Sequence, residues 1–193
     1  MSVACVLSAS VAVMTLDERR PTWRDLLPLS DEKLLAQCAV DRYRASGPGG
    51  QKRNVTDSAV RLRHLPSGLM AQANDSRSQH DNRTRALRRL RRTIAINARA
   101  PAPGPDAPPA PELAPLRAVG RAGTLGRRDA RYLPAVAALL DLLVSYEGRL
   151  APAAAAAGIG SARAVRLLAR DPAVLVAANA DRMQRNLPQL RDR

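Results

Sequence analysis

A run of prolines divides this chain and limits the folds that are open to it. Residues 100–115 contain seven of the fifteen prolines in the 193-residue sequence. Proline fixes φ and has no N–H to donate, so this stretch is incompatible with a long helix or a central strand and is expected to be extended. The sequence therefore predicts a semi-rigid linker over residues 100–126, with one structural unit on each side of it.

Positive charge is concentrated in front of this linker. The formal net charge is +14, and residues 42–99 carry fourteen Lys or Arg against three acids, a net of +11. A basic segment of this kind indicates a polyanionic partner, and arginine presents a planar fork that suits phosphate. The two cysteines are too few for a disulfide framework, which fits a reducing compartment.

The first 26 residues are expected to lie outside the folded part of the chain. Residues 1–16 are mildly apolar, but they lack a basic leader region and are too short to span a bilayer. A weak secretory signal is the alternative interpretation, and a start at Met14 instead of Met1 is also compatible with the sequence. We predict a disordered N-terminus over 1–26 and a cytoplasmic protein with no membrane segment.

Residues 27–99 have the pattern of a small α+β unit. Alternating apolar and polar residues on both sides of the turn Pro66-Ser67-Gly68 predict a β-hairpin, and capping residues precede two helical segments. The predicted elements are a helix capped by Ser30 from Asp31 to about Arg42, strands over 59–65 and 69–74, and a helix from Ser78 to about Asn97.

Residues 127–193 are predicted to form a small all-α unit that contains a helix-turn-helix-like segment over 150–171. This segment has a short helix, the turn Gly158-Ile159-Gly160, and a second helix capped by Ser161. The arginines of the second helix, at positions 163, 166 and 170, share one face and either bind phosphate or are simply solvated. Pro172 suits the first turn of a last helix. The first helix of the unit has an apolar stripe formed by Tyr132, Val136, Leu139, Leu140 and Leu143.

The motif with the clearest chemistry begins at Arg44 and ends in Gly49-Gly50-Gln51. It is followed in order by three further segments, which are Asn54 to Leu62, His64 to Gly68, and Arg77 to Arg83. Taken together, these segments closely resemble the signature of the class I peptide chain release factors, over roughly Leu27 to Ile96. The resemblance implies a small catalytic domain that hydrolyses the ester of peptidyl-tRNA in the ribosomal peptidyl transferase centre.

By this resemblance, Gly49, Gly50 and Gln51 are the candidate catalytic residues. Glycine has no Cβ, so the backbone at the first two positions can adopt positive φ and approach crowded nucleotides. Gln51 is neutral, and so it can enter a pocket of phosphates without the desolvation cost of a charge. Its backbone N–H is suited to stabilise an oxyanion, and its amide side chain is suited to orient a water molecule.

The residues around this motif are candidates for contact with RNA. A second group, Arg77, Gln79 and His80, either contacts RNA or ties the hairpin to the helix, whereas His64 is interpreted as a residue of the strand face. Many family members have a lysine after Asn54, where this chain has Val55, so a cation is missing at that position. The predicted RNA-binding residues are Arg44, Ser46, Pro48, Lys52, Arg53, Asn54, Arg83, Arg88, Arg89 and Arg92.

The sequence favours peptide release that does not depend on a codon. The tripeptides with which release factors read stop codons, Ser-Pro-Phe or Pro-x-Thr, do not occur in these 193 residues. The resemblance therefore points to the short relatives that rescue stalled ribosomes, with ribosomal RNA of the large subunit and P-site peptidyl-tRNA as partners. We expect a monomer that uses no cofactor and no metal. A ribosome-binding protein without hydrolytic activity and a DNA-binding regulator that uses the helical unit are the alternatives.

Overall fold

The computed structural model describes residues 20–43, 58–101, 104, 107–118, 120 and 124–192. A three-stranded antiparallel sheet lies in the N-terminal half, and the C-terminal half is helical. The helices are α1 (Trp23–Leu26), α2 (Asp31–Ala36), α3 (Gln79–Asn97), α4 (Ala114–Arg117), α5 (Tyr132–Ser145), α6 (Leu150–Ala156), α7 (Ser161–Ala169) and α8 (Pro172–Gln184); the strands are β1 (Cys38–Tyr43), β2 (Ala59–His64) and β3 (Met70–Ala73). The mixed α+β class is as predicted.

The sheet has one covered face and one open face. Its strand order is β1-β2-β3, and α3 packs across β2 and β3. Along β2, Val60, Leu62 and His64 are buried beneath the helix, whereas Arg61 and Arg63 between them are exposed on the other face. This alternation follows from the period of two along a strand.

The helix α3 agrees with its prediction. Ser78 is the N-cap, and its hydroxyl accepts a hydrogen bond from the backbone N–H of Asp81 at 3.2 Å. The buried stripe of the helix includes Leu87, Leu90 and Ile94. A local cap and a helical period are thus sufficient to place the longest helix of the described chain.

The predicted helix from Asp31 to Arg42 is wrong beyond Ala36. The structure instead has strand β1, whose residues pair with β2 from Cys38 opposite His64 to Tyr43 opposite Ala59. The helix ends where Gln37 donates its N–H to the carbonyl of Leu34 at 3.2 Å. Backbone pairing with a strand that is distant in the sequence therefore overrides the local helical pattern.

Two predicted boundaries also need correction. Residues 20–26, assigned to a disordered N-terminus, include Trp23 and Leu26, which are both buried in the core. Within the predicted linker, Pro111–Leu113 forms a 3₁₀ turn that continues into α4, with Leu113 and Leu116 buried. Proline is compatible with the first turn of a helix, and the leucines between the prolines provide apolar surface to bury.

The two halves pack against each other instead of being held apart. Their buried apolar side chains form one continuous cluster, and α3 packs against α5. Two buried carboxylates of the helical half add polar contacts: Asp141 accepts from Trp23 Nε1 at 2.6 Å and from Arg99 Nη1 at 3.2 Å, and Asp171 accepts from Arg92 Nη1 at 3.3 Å. The predicted semi-rigid linker therefore does not hold two separate units apart, because the described residues of both halves form one packed body.

The helix-turn-helix-like segment differs from its prediction in two details. Gly160 is the N-cap of α7, and Ser161 is its first residue. Arg163 does not belong to a free phosphate-binding face, because its Nη1 donates to the carbonyls of Leu116 at 2.5 Å and Ala118 at 3.0 Å. Carbonyls at the end of α4 have no partner within that helix, so this guanidinium satisfies them. Over the described part of the chain, no helix is long and apolar enough to cross a membrane.

Candidate catalytic loop and its surroundings

The Gly-Gly-Gln segment joins two strands that are paired at the point where it leaves the sheet. Tyr43, the last residue of β1, lies opposite Ala59, the first residue of β2. The nine predicted site residues from Arg44 to Asn54, namely Arg44, Ser46, Pro48, Gly49, Gly50, Gln51, Lys52, Arg53 and Asn54, lie outside the described residues. The structure therefore defines the two ends of the segment, which meet at one edge of the sheet.

A buried asparagine fixes the end of the segment that leads into β2. The amide nitrogen of Asn82 donates to the carbonyls of Ser58 and Ser76, both at 2.7 Å, and its Oδ1 accepts from the N–H of Ser76 at 2.9 Å. Its side chain is fully buried at the start of α3. The Asn82 side chain thereby holds Ser58 against the helix. Most of its own hydrogen-bonding groups are satisfied in doing so.

A tyrosine and an arginine mark the other end. Tyr43 Oη donates to Gln72 Oε1 at 3.1 Å, so the side chain of Tyr43 reaches from β1 to β3 across the open face of the sheet. The guanidinium of Arg61 lies over the ring of Tyr43, 5.1 Å from its centroid. Neither residue was singled out from the sequence, because their contact depends on the register of three strands.

The turn between β2 and β3 is locked by a histidine. His64 Nε2 lies 2.9 Å from Gln37 Oε1, and its Nδ1 lies 2.7 Å from Ser67 Oγ. The amide oxygen of Gln37 can only accept, so Nε2 carries the proton and Nδ1 accepts from the hydroxyl. Burial lowers the pKa of His64, which favours this neutral form. The residue is thus a structural part of the hairpin, consistent with its interpretation as a residue of the strand face.

The four predicted RNA-binding arginines of α3 fall into two pairs. Arg83 and Arg88 are exposed, and the described structure gives neither of them a partner. Arg89 is engaged, since its Nη2 donates to both oxygens of Asp75 at 3.0 and 2.8 Å and its Nη1 donates to the carbonyl of Gln72 at 2.7 Å. Arg92 is engaged with Asp171. Arg83 and Arg88 are therefore better placed to meet an external phosphate.

Arg77 and His80 are exposed at the start of the same helix, next to Arg83. Their exposure leaves both side chains accessible to an external ligand, and contact with RNA remains a prediction for them. Among the described residues, no group of three His, Cys, Asp or Glu side chains could hold a metal ion.

Comparison with known proteins identifies the domain that these elements form. Residues 35–104 match the RF-1 domain. This segment is therefore similar to a domain of the class I release factor family. Peptide chain release factor 1 of Rhodospirillum rubrum is 53% identical over 60 residues, which are 31% of this chain and 17% of that protein. We refer to the matched segment as the release-factor domain.

Other relatives match the release-factor domain over similar lengths. Peptide chain release factor 1 of Leptothrix cholodnii is 62% identical over 52 residues, 27% of this chain and 14% of the relative. The same protein of Novosphingobium aromaticivorans is 46% identical over 86 residues, 42% of this chain and 24% of the relative. The chain thus spans less than a quarter of the length of these relatives.

Proposed function

We propose that this chain hydrolyses the ester bond of peptidyl-tRNA on the ribosome and so releases the nascent peptide. The proposal is carried by the match of residues 35–104 to the RF-1 domain, which includes a complete Gly49-Gly50-Gln51 segment. The partners would be large-subunit ribosomal RNA and P-site peptidyl-tRNA, in the cytoplasm. The high density of arginine in the release-factor domain suits such an RNA environment.

The proposed chemistry is the attack of water on the ester carbonyl carbon. A C–O bond forms to the water oxygen, negative charge develops on the carbonyl oxygen, and the bond to the 3′-oxygen of the tRNA ribose then breaks. The ribose oxygen takes up a proton, and the peptide leaves as a carboxylic acid. In this scheme the backbone N–H of Gln51 stabilises the oxyanion, and its side chain confines the water.

Gly49 and Gly50 would allow the backbone to approach the reacting ester closely, because neither has a Cβ. The ends of the segment are anchored by the pairing of Tyr43 with Ala59 and by the hydrogen bond from Asn82 to the carbonyl of Ser58. Anchored ends reduce the conformational entropy that is lost when the segment adopts its reactive arrangement.

The finer part of the proposal is that release does not require a stop codon. It starts from the sequence, in which neither of the codon-reading tripeptides occurs. The release-factor domain packs directly on the helical half through the pairs Arg99–Asp141 and Arg92–Asp171. The catalytic domain would approach the ribosome together with the helical half, and we propose that it acts there as a rescue factor on stalled ribosomes.

The test is a release assay on purified ribosomes whose P site holds a labelled peptidyl-tRNA. The wild-type chain should liberate the labelled peptide, and Gly50→Ala should bind ribosomes in a sedimentation assay without liberating it. Lys33→Gln is a matched control on the exposed side of α2 and should release peptide like the wild type. Equal release by Gly50→Ala would refute the catalytic assignment, and binding without release by the wild type would indicate a non-hydrolytic factor.

A further inference from the structure

The open face of the sheet carries a stack of side chains that the proposed chemistry does not use. It consists of Tyr43 and Asp41 on β1, Arg61 and Arg63 on β2, and Gln72 and Met70 on β3, and we call it the open-face patch. The strand register brings these residues side by side, since Arg61 pairs with Gln72 and Arg63 pairs with Met70. No described helix covers this side, because α3 packs on the opposite face.

Within the patch, the guanidinium of Arg61 is stacked on the aromatic ring of Tyr43. Tyr43 lies across the sheet with its hydroxyl hydrogen-bonded to Gln72 Oε1 at 3.1 Å, and Arg61 lies over the ring with its Cζ atom 5.1 Å from the centroid. Arg61 is exposed, and Asp41 lies opposite it on β1, although no ion pair is found between the two among the described residues. Its guanidinium is therefore held over the ring and remains available to a ligand.

The chemistry of this arrangement suits an unpaired nucleotide. Bases that are splayed out of a helix stack on aromatic rings and on guanidinium planes, and a neighbouring cation binds the phosphate. Arg63, two residues along β2, is exposed and projects on the same face as Arg61. Met70, 55% exposed, adds an apolar surface next to it.

We propose that the open-face patch binds a single unpaired ribonucleotide segment, with a base stacked on the Tyr43–Arg61 pair and a phosphate at Arg63. The location supports this role, because Tyr43 immediately precedes the segment that contains the Gly-Gly-Gln motif. This proposal depends on the proposed function in one respect: the ribosome would supply the unpaired RNA, either as the 3′ end of tRNA or as ribosomal RNA.

The experiment measures binding of the full chain to fluorescent RNA in the absence of ribosomes. One probe is a minihelix with a single-stranded ACCA end, a second is the same minihelix with a blunt end, and a third is an unstructured uridine oligomer. Tighter binding of the ACCA minihelix than of both other probes would identify the tRNA end as the source. Equal binding of the ACCA minihelix and the oligomer, above the blunt form, would identify unpaired RNA in general.

Two variants separate stacking from simple charge. Tyr43→Leu removes the ring without changing the charge, so it should weaken binding about tenfold and leave the salt dependence unchanged. Arg61→Gln should weaken binding by a similar factor and also flatten the salt dependence. Arg128→Gln, an exposed arginine of the helical half, is the matched control for the loss of one charge and should have less than a twofold effect.

Wild-type affinity of Tyr43→Leu, or equal effects of Arg61→Gln and Arg128→Gln, would overturn the proposal. If Tyr43→Leu fails to fold, the ring resonances of Tyr43 in the wild type provide the test, since the chain has three tyrosines and Tyr132 is buried. Binding of a base should shift the Tyr43 resonances, and no shift at saturating RNA would refute the proposal. RNA binding by this patch with no peptide release would refute the proposed function alone.

Discussion

Replacing Asp141 with alanine tests whether the release-factor domain and the helical half form one cooperative body. The carboxylate of Asp141 is 4% exposed and accepts hydrogen bonds from Trp23 Nε1 at 2.6 Å and Arg99 Nη1 at 3.2 Å. Alanine would leave the buried indole N–H without its acceptor. It would also leave Arg99, whose side chain is 32% exposed, without its carboxylate.

The expected cost follows from these two contacts. A hydrogen bond to a charged group contributes about 1.5–3 kcal/mol, and the Arg99 pair, which is partly open to solvent, adds no more than about 1 kcal/mol. Burial raises the pKa of Asp141, so the desolvation of its charge already opposes these gains. We therefore expect the free energy of unfolding to fall by about 2–3 kcal/mol, which lowers Tm by roughly 4–12 °C in a chain of this size.

Urea unfolding followed by tryptophan fluorescence and by far-UV circular dichroism measures this change. Trp23 is the single tryptophan of the chain and lies at the contact with Asp141, so its emission reports directly on the junction. The control is Glu147→Gln, which removes an exposed pair with Arg149 at 2.9 Å and should cost about 0.5 kcal/mol or less. A loss at Asp141 no larger than this control, or separate midpoints by the two probes, would refute the idea of one body.

Three further predictions concern the catalytic motif, the arginines of α3 and the hairpin. Gln51→Ala should leave ribosome binding by sedimentation within about twofold of wild type, because Gln51 contributes partly through its backbone N–H. Arg88→Gln should weaken ribosome binding and reduce its salt dependence, whereas Arg89→Gln should mainly lower the urea midpoint through the loss of its contacts with Asp75; the reverse pattern would contradict the assignment. Because burial lowers the pKa of His64 from 6.5, its contribution to stability should be complete above about pH 6.5 and be lost as the pH falls below it. Urea midpoints measured above and below this pH should show the loss of stability, and His64→Gln should make the midpoint depend less on pH.

The parts of the fold that sequence analysis predicted correctly are those with a local cause. The alternation of β2 and the cap at Ser78 involve only neighbouring residues, so the hairpin and α3 were predicted with nearly correct ends. Strand β1 was missed, because residues 38–43 are extended through pairing with a strand that begins sixteen positions after Tyr43. Their own pattern, with Leu34, Leu35 and Cys38 spaced as on a helix, gives no sign of that partner.

The contacts between the two halves could not be predicted for a similar reason. Asp141 meets Trp23 and Arg99 only because α5 packs on α3, and no local pattern states which of many arginines a carboxylate will find. The proline-rich segment misled the prediction because proline was treated only as a breaker of helices. At Pro111 it occupies the start of a helical turn, where its missing N–H has no cost.

The candidate site also contains residues that local sequence identifies and residues that only long-range contacts place. Gly49, Gly50 and Gln51 were identified because the motif is contiguous, whereas Asn82 and Tyr43 owe their positions to contacts across the fold. Arg88 and Arg89 could not be distinguished by sequence, since successive residues of a helix point about 100° apart and only the structure shows which one reaches Asp75. A charge pattern therefore indicates a nucleic-acid partner without identifying the arginines that are free to bind it.

Codon-independent peptide release is tested most directly by comparing release from ribosomal complexes that differ only in what the A site contains. Ribosomes with the same labelled peptidyl-tRNA in the P site are prepared with a stop codon, with a sense codon, or with an mRNA that ends at the P site. We expect release from the complex with an empty A site, without any stimulation by the stop codon. Release that occurs only in the presence of a stop codon would contradict it.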